Sequence, residues 1–366
     1  MKLLIITNHS YMLYRFRKEL IQQLAKTNEV VLSMPFVGHE QEFMNMGIRC
    51  IDTPIGRREI RPSNELRLLG SYFRLLWREK PDQVITYSIK PNIYAGLCCR
   101  LLRIPYYANV QGLGTALHIP KLESAVSMMY KLALGKVEAV FFENQSNAEL
   151  FRSRNIIPAR KQVLLPGAGI NLEEYTPTSY PENPEFHFLY VGRIMMEKGV
   201  NELLAAAKLL FEQYGSRFRL DIVGFFDDED FSAPIRELEE LGVAVFHGFQ
   251  SDPKPFYSAA DCVVVPSYHE GMSNVLLEAS AMARPLITTD IPGCREAVDP
   301  GENGLLCQPK DTQSLYGCME RMLLMSPAER QAMGLAGRRK MELEFDRETV
   351  VARVLQTLHR TQGANP

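Results

Sequence analysis

The segment that decides the fold is Ser267-Tyr-His-Glu-Gly-Met-Ser-Asn-Val-Leu-Leu-Glu278, which places two carboxylates, Glu270 and Glu278, eight residues apart. The run Asp261-Cys-Val-Val-Val-Pro266 before it is typical of a short buried strand, and the run from Val275 to Ala283 is compatible with a helix. Glu270 is therefore predicted in the loop at the carboxyl end of the strand, and Glu278 one turn inside the helix. A strand, loop and helix in this order predict a parallel α/β sheet.

The loop and the start of the helix are predicted to bind a diphosphate, because the first N–H groups of a helix have no partner within it. The residues concerned are Gly271, Met272, Ser273 and Asn274. The carboxylates of Glu278 and Glu270 can each accept hydrogen bonds from a vicinal diol, one on a ribose and one on a hexose. An isolated pair of glutamates at this spacing is otherwise interpreted as one solvated residue and one helix-start residue.

Short apolar segments alternate with segments of helical period along all 366 residues, which is too long for one ordinary core. The first series of predicted strands is Leu3–Thr7, Val30–Met34, Ile48–Asp52, Gln83–Thr86, Tyr106–Asn109, Ala139–Phe142 and Gln162–Leu165. The second series is Phe186–Val191, Phe218–Val223, Val243–Phe246, Cys262–Pro266, Leu286–Thr289 and Leu305–Cys307. A proline-rich stretch from Tyr175 to Glu185 separates them and is the predicted linker. The sequence therefore predicts two doubly wound α/β domains.

Composition excludes several classes of protein. A net charge of −2 without a basic stripe argues against a nucleic-acid partner. Seven cysteines without a C-x2-C pair predict a reducing compartment and no disulfide framework. No uncharged run reaches the roughly 20 residues that span a bilayer, so any membrane contact is predicted to be peripheral. Two clusters of basic residues could contact a membrane or could be ordinary solvated surface: Arg15, Arg17 and Lys18, and Arg57, Arg58, Arg61 and Arg67.

An ordered set of motifs resembles glycosyltransferase family four, the large retaining family with the GT-B fold, in which two Rossmann-like domains face each other across a cleft. In the second half the set is Phe188-Leu-Tyr-Val-Gly-Arg193, Glu197-Lys-Gly199, Asp261, Pro266-Ser267, Glu270-Gly271, Leu277-Glu-Ala279, Pro285, Pro292-Gly293 and Asn303-Gly304. In the first half it is Lys90-Pro-Asn92, Gly112-Leu-Gly114, Phe142-Glu-Asn144, Ser146-Asn147 and Gly169-Ile-Asn171. These segments resemble the bacterial branch that builds capsule, O-antigen and protein-linked glycans on a polyprenyl diphosphate carrier.

The resemblance implies the domain boundaries and their roles. Residues 1–175 form an acceptor-binding domain, and the last helix, about 346–366, packs back on it. Residues 176–345 form the nucleotide-sugar-binding domain. Arg193 and Lys198 follow its first strand, where open α/β sheets bind ligands, and two fixed cations there can stabilise a leaving diphosphate in place of a metal. The resemblance assigns Glu278 to the ribose, and Glu270 to the donor sugar and the positive charge at its anomeric carbon.

Other positions are predicted to contact substrate. Gly248 begins a segment, to Asp252, that is expected to frame the base. Gly112 and Gly114 allow the backbone to approach the donor closely. Relatives often carry His before the first of these glycines, where this chain has Gln111; an amide is neither base nor nucleophile at neutral pH, so a double displacement is disfavoured. Arg17 matches the polyprenyl-carrier branch.

The acidic run Asp227-Asp-Glu-Asp230 superficially resembles a D-x-D metal motif, but it is predicted to be a solvated loop, so no metal site and no cofactor are expected. Two histidines are candidates for lesser roles. His269 is more consistent with a spacer than with an acid–base group, and His118 is a candidate acceptor contact.

The resemblance implies transfer of a hexose or N-acetylhexosamine from a UDP-sugar to a lipid-linked (polyprenyl diphosphate) saccharide, with retention and without a metal ion. The implied partners are the nucleotide sugar, the lipid-linked acceptor and the inner face of the cytoplasmic membrane, where a cytoplasmic protein would bind peripherally. Three alternatives stay open: a GDP-sugar donor, a sugar-2-epimerisation that releases UDP, and an inactive nucleotide-sugar-binding subunit.

Overall fold

A computed structural model of the chain describes residues 1–55, 62–112, 120–227 and 231–362. The chain divides into two compact units, Met1–Ala168 with Glu348–Pro366, and Gly169–Arg347. The boundaries expected from the sequence, after residues 175 and 345, fall a few residues away. The segment predicted to be the linker packs within the second unit, because the fully buried guanidinium of Arg284 donates to the carbonyl oxygens of Thr178 and Ser179.

The first unit contains a seven-stranded parallel sheet in the order β3-β2-β1-β4-β5-β6-β7. Its strands are β1 Lys2–Ile6, β2 Glu29–Met34, β3 Arg49–Asp52, β4 Gln83–Tyr87, β5 Tyr106–Val110, β6 Ala139–Phe142 and β7 Gln162–Leu164. Its helices are α1 Ser10–Ala25, α2 Glu40–Asn45, α3 Pro62–Glu79, α4 Gly96–Leu102, α5 Pro120–Ala133, α6 Gln145–Ser153 and the later α13 Arg347–Gln362, with short turns of π- or 3-10 helix at Pro91–Ala95, Leu134–Lys136 and Ala159–Lys161.

Alternation along the apolar strands gives this sheet a core on each face. In β1, Leu4 and Ile6 pack with α3, α4 and α5, whereas Leu3 and Ile5 pack with α1 and α13. Helix α13 belongs to this second core through Val350, Val354 and Leu358, which recur at helical spacing.

The second unit contains a six-stranded parallel sheet in the order β10-β9-β8-β11-β12-β13. Its strands are β8 Phe186–Ile194, β9 Phe218–Phe226, β10 Ala244–Phe246, β11 Cys262–Val265, β12 Leu286–Thr289 and β13 Gly304–Cys307. Its helices are α7 Val200–Tyr214, α8 Ser232–Glu240, α9 Lys254–Ala259, α10 Asn274–Ala281, α11 Thr312–Leu324 and α12 Pro327–Glu344, with 3-10 turns at Met196–Lys198, Gly215–Arg217 and Arg295–Ala297.

This sheet is also covered on both faces. Phe188 and Tyr190 pack toward α7 and α11, and Leu189 packs toward α10 and α12. The predicted α/β class with two doubly wound sheets is confirmed. All seven cysteines carry free thiols. Within the described ranges, no helix combines the length and apolar character that a bilayer-crossing helix requires.

Candidate active site

The predicted donor-site residues of the second unit meet where its strand order reverses. Strands β8 and β11 are neighbours although they are not consecutive in the chain, and such a switch point opens a crevice at the carboxyl ends of the strands. Arg193 lies near the end of β8, and Lys198 lies in the 3-10 turn that follows it. Glu270 lies in the loop after β11, and Glu278 lies inside α10.

Two glycines allow the loops at this edge to pack closely. Gly199, with φ of 69°, lies so close to the loop after β11 that a Cβ would stand 2.0 Å from the carbonyl oxygen of Pro266. Gly293, with φ of 86°, also lies close to the neighbouring backbone, and a Cβ there would stand 2.7 Å from the carbonyl oxygen of Glu270. Because any side chain would push the loops apart, these glycines fix Lys198 and Glu270 relative to each other.

Lys198 and Glu270 form an ion pair at the centre of the site. The Nζ of Lys198 donates to Oε1 of Glu270 at 2.5 Å, and the hydroxyl of Ser267 donates to the same oxygen at 2.8 Å. Both charged side chains are partly exposed, at 21% and 14%. The pair therefore presents an ammonium and a carboxylate side by side at the carboxyl edge of the sheet.

Arg193 is paired with the first residue of the acidic run. Its guanidinium donates to Oδ2 of Asp227 at 2.7 Å, and 47% of the Arg193 side chain is exposed. The rest of the run, residues 228–230, lies outside the described residues. Within the described ranges, no group of three or more His, Cys, Asp or Glu side chains could hold a metal ion.

Glu278 is buried and is held by a residue that the sequence analysis missed. The hydroxyl of Tyr257, on α9, donates to Oε2 of Glu278 at 2.8 Å. Tyr257 is itself fixed, because its carbonyl oxygen accepts from the Nε of Arg284 at 2.8 Å. Tyr257 precedes Asp261 by four residues without a distinctive pattern, so no sequence signal pointed to it.

Helix α10 begins one residue before the predicted run from Val275. Ser273 is the N-cap residue, with φ of −77° and ψ of 100°, and Asn274 is the first helical residue. The N–H of Ser273 already donates to the carbonyl oxygen of Gly293 at 2.8 Å. A bound phosphate would therefore rely on the later N–H groups of the turn. Met272 is buried beneath this turn.

Gly248 follows β10 at the same edge of the sheet, with φ of 67° and open space where a Cβ would project. Its carbonyl oxygen accepts from the N–H of Gly224 at 2.9 Å. The position is compatible with the predicted contact to a base.

In the first unit, Arg17 forms a buried ion pair that was not foreseen. Its guanidinium donates to Oε1 of Glu143 at 2.6 Å, and the two side chains are 6% and 9% exposed. The side-chain amide of Gln111, which follows β5, donates to Sδ of Met12 at 3.4 Å. Burial raises the pKa of Glu143, and the charge and the hydrogen bond of Arg17, together with the nearby amide of Gln111, oppose that rise. Gly112 lies next to Gln111, whereas Gly114 lies outside the described residues.

The expected membrane contact through Arg17 is wrong, because the charge of this residue is directed into the protein toward Glu143. Arg15 and Lys18 are half-buried, and the ammonium of Lys18 lies 5.3 Å from the ring centroid of Tyr14. Arg57, Arg58 and Arg61 lie outside the described residues, as does His118. His269 is exposed beside Glu270.

Comparison with known proteins identifies the family. Residues 185–324 match the family model described as "Glycosyl transferases group 1", and residues 2–144 match "Glycosyl transferase 4-like". The two segments together span more than three quarters of the chain, which belongs to glycosyltransferase family four. The protein is therefore a glycosyltransferase.

Two relatives match over most of their length. The N,N'-diacetylbacillosaminyl-diphospho-undecaprenol alpha-1,3-N-acetylgalactosaminyltransferase of Campylobacter jejuni is 25% identical, over 95% of this chain and 96% of its own. The capsular polysaccharide biosynthesis glycosyltransferase CapM of Staphylococcus aureus is 24% identical, over 83% of both chains.

Among solved structures, Anabaena Alr3699/HepE in complex with UDP and glucose matches with a TM-score of 0.80 at 16% identity, over 98% of this chain and 100% of its own. Sucrose-phosphate synthase from Thermosynechococcus elongatus matches with a TM-score of 0.78 at 21% identity, over 100% of both chains. The fold is GT-B, as predicted.

Proposed function

We propose that this glycosyltransferase transfers a hexose or N-acetylhexosamine from a UDP-sugar to a lipid-linked saccharide during the assembly of a polysaccharide or glycan. One observation carries the proposal. The carboxyl edge of the second sheet brings together, at its switch point, the Lys198–Glu270 ion pair, the exposed guanidinium of Arg193 and the start of α10. Cations and free helix N–H groups suit a diphosphate, and carboxylates suit sugar hydroxyls.

Each charged group then has a distinct task. Arg193 and Lys198 turn from their carboxylate partners to the diphosphate and stabilise the charge that develops as the glycosidic bond to phosphate breaks. Glu278, whose carboxylate accepts a hydrogen bond from Tyr257, also accepts hydrogen bonds from the ribose hydroxyls. Glu270 faces the donor sugar and the positive charge growing at its anomeric carbon.

In the transfer step, the oxygen of the acceptor hydroxyl forms a bond to the anomeric carbon as the bond from that carbon to the β-phosphate oxygen breaks. The departing phosphate oxygen accepts the proton of the acceptor hydroxyl. UDP leaves, and the new glycoside keeps the anomeric configuration of the donor. The transfer reaction balances without any other co-reactant.

The relatives support the choice of substrates. The Campylobacter jejuni relative acts, by its name, on a diphospho-undecaprenol-linked sugar, and CapM serves capsular polysaccharide biosynthesis. The Anabaena structure is described with UDP and glucose. These descriptions favour a UDP-sugar donor and a polyprenyl-diphosphate-linked acceptor. We propose the inner membrane face as the site of action, because a lipid-linked acceptor is met at a membrane.

We expect the reaction to need neither a cofactor nor a divalent cation, because Arg193 and Lys198 supply the positive charge that a metal would otherwise bring to the diphosphate. Activity measured after treatment with a chelator should fall by less than about tenfold, the scale of ~1.4 kcal/mol on the barrier. A larger loss that Mn2+ or Mg2+ restores contradicts this expectation.

The function is tested with purified protein, a panel of UDP- and GDP-sugars and an undecaprenyl-diphosphate-linked saccharide as acceptor. Release of UDP together with an elongated acceptor is the expected result. Turnover of GDP-sugars alone makes the donor GDP-linked. Conversion of the donor to an epimer without transfer indicates the epimerase alternative, and tight UDP binding without turnover indicates a binding subunit.

A further inference from the structure

Helix α3 of the first unit buries one face and leaves the opposite face to solvent. Leu68, Tyr72 and Leu76 recur at intervals of four residues and lie in the core beneath the helix. Each residue advances about 100° around a helix, so these three side chains define the inward direction. The side chains on the rest of the helix surface are those that can contact solvent or a partner.

The outward side carries a stripe of large apolar side chains. Leu66 is 70% exposed, Phe73 37% and Trp77 67%. Their spacings of seven and four residues place all three within about 40° of one another. An isolated exposed leucine needs no explanation, but three aligned large side chains, one of them a tryptophan, form an apolar strip along the helix.

A stripe of arginines runs beside the apolar stripe. Arg67, Arg74 and Arg78 are all exposed and share the same spacings, one residue further along. They therefore lie about 100° around the helix from Leu66, Phe73 and Trp77. The two stripes flank the direction opposite the buried face, so that a flat surface laid against the outer side of α3 would touch both.

The neighbouring helices extend this surface. Helix α3 packs against α4, and α4 packs against α5. Leu101 of α4 is 71% exposed, and Met128 and Leu132 of α5 are 58% and 49% exposed. Lys131 of α5 is exposed beside them. Exposed apolar side chains thus occur on all three adjacent helices, with exposed basic side chains on α3 and α5.

We propose that this outer face of α3, α4 and α5, called the α3 face below, docks on an anionic lipid surface. Aliphatic and tryptophan side chains insert at the boundary of headgroups and acyl chains, and arginine attracts anionic headgroups. The positive charge of the arginine stripe favours an anionic partner. The apolar stripe favours a partner into which aliphatic side chains can insert. The inference deepens the proposed function and rests on it, since a lipid-linked acceptor is met at a membrane.

Trp77 provides a direct probe, because it is the only tryptophan of the 366-residue chain. Vesicles of phosphatidylglycerol and phosphatidylcholine are added to the wild-type protein with excitation restricted to tryptophan. We expect a blue shift of the emission and quenching by brominated acyl chains. Vesicles of phosphatidylcholine alone should give a much smaller response. Raising the salt concentration should weaken the response to anionic vesicles.

Substitutions test separately how much each stripe contributes to vesicle binding. Replacing Arg67, Arg74 and Arg78 together by Gln should lower the vesicle partition coefficient on the order of 100-fold, because each basic residue near an anionic surface contributes about fivefold. The matched control replaces three exposed arginines of the second unit by Gln: Arg236, Arg321 and Arg339. It removes the same charge and should leave partitioning within about twofold of wild type.

The apolar stripe is tested by Leu66→Ser with Phe73→Ser, which keeps the fluorescent probe. The control is Leu343→Ser, at an 83% exposed position on α12. The double variant should partition at least tenfold more weakly than wild type and the control should not. Circular dichroism spectra equal to wild type establish that the variants are folded.

Three outcomes overturn the proposal. Co-sedimentation with anionic vesicles without any change in Trp77 emission assigns membrane contact to another surface. No co-sedimentation at low salt excludes a lipid surface. A Trp77 shift that follows protein concentration and ignores vesicles makes the α3 face a protein contact. Transfer to a short-chain, water-soluble acceptor analogue, measured in parallel, tests the proposed function independently of vesicle binding.

Discussion

At the scale of single residues, the state of Glu270 determines how the site can work. In the structure its Oε1 accepts from both Lys198 and Ser267. In the proposed function, a donor diphosphate would compete with this carboxylate for the ammonium of Lys198, so that binding of the donor would free Glu270 to face the sugar. Glu278 is buried, and its Oε2 accepts from the hydroxyl of Tyr257.

This difference predicts different effects of removing each carboxylate. Glu278→Ala should chiefly weaken binding of both donor and UDP, because a ribose contact is made equally in the ground and transition states. Glu270→Ala should lower kcat by roughly 100-fold while UDP still binds, as expected for a group that faces developing positive charge. Calorimetry with UDP and steady-state kinetics measure the two effects, with Glu302→Ala at an exposed position as control. Equal loss of UDP affinity in both variants contradicts this division of tasks.

The buried pair of Arg17 and Glu143 predicts a pH-dependent stability. Arg17→Met leaves a buried carboxylate unpaired and should cost about 3–5 kcal/mol of unfolding free energy near neutral pH. The pKa of Glu143 is already raised by burial, and loss of the arginine raises it further. A folded-state pKa above the unfolded value makes the folded form relatively most stable at low pH, with stability lost as pH rises. The destabilisation should therefore shrink toward pH 5.

Urea unfolding followed by circular dichroism at pH 5 and pH 8 measures this dependence. The control is Arg17→Met combined with Glu143→Gln, which removes both charges and should lose the pH dependence. A penalty that is equal at both pH values contradicts the assignment of a charged, buried pair.

At the scale of elements, each predicted strand is present, with ends displaced by no more than three residues. Parallel strands that are buried on both faces have continuous apolar sequences, and this pattern can be recognised without knowledge of the tertiary structure. The proline-rich segment after Tyr175 was misjudged because its packing depends on Arg284, more than 100 residues away. The buried ion pair of Arg17 with Glu143 was missed for the same reason, since the two residues lie 126 positions apart.

Loop packing also predicts an effect at element scale. Gly199→Ala should displace the turn that carries Lys198, because the new Cβ would meet the carbonyl of Pro266. Gly242→Ala is the matched control, since Gly242 has nearly the same backbone conformation, with φ of 71° against 69°, and open space around it. Both variants bear left-handed strain of about 1 kcal/mol. Only Gly199→Ala should weaken UDP binding, by about tenfold or more, as calorimetry can determine.

Equal UDP affinities in the two glycine variants would show that the turn tolerates displacement. A loss confined to Gly199→Ala would instead show that the position of Lys198, and not backbone strain as such, limits donor binding. The sequence motif Glu197-Lys-Gly199 contains this constraint, but only the contact with Pro266 explains it physically.

At the scale of the whole molecule, the chain crosses between its two units twice, near Ala168 and again near Glu348, and α13 completes the core of the first unit. The motifs of the second unit predicted residues that the structure brings together at one edge of the sheet, because that edge is built from short local segments. The first unit gave weaker signals. Its edge near Gln111 contains a buried ion pair between Arg17 of α1 and Glu143, which directly follows β6, and residues 113–119 lie outside the described residues.

The chemistry of both units together predicts that the product keeps the anomeric configuration of the donor, so that an α-linked UDP-hexose gives an α-glycoside. Inversion requires a carboxylate or imidazole that deprotonates the acceptor on the face opposite the leaving group. The carboxylate near Gln111, Glu143, forms a buried ion pair in which its Oε1 accepts from the guanidinium of Arg17. In the proposed function Glu270 and Glu278 of the second unit have binding tasks, and we expect the departing phosphate oxygen to serve as the base on the same face. Proton NMR of the product decides the question. A β coupling constant from an α donor contradicts the mechanism, and Glu143→Gln, which removes the carboxylate near Gln111, should leave the configuration α.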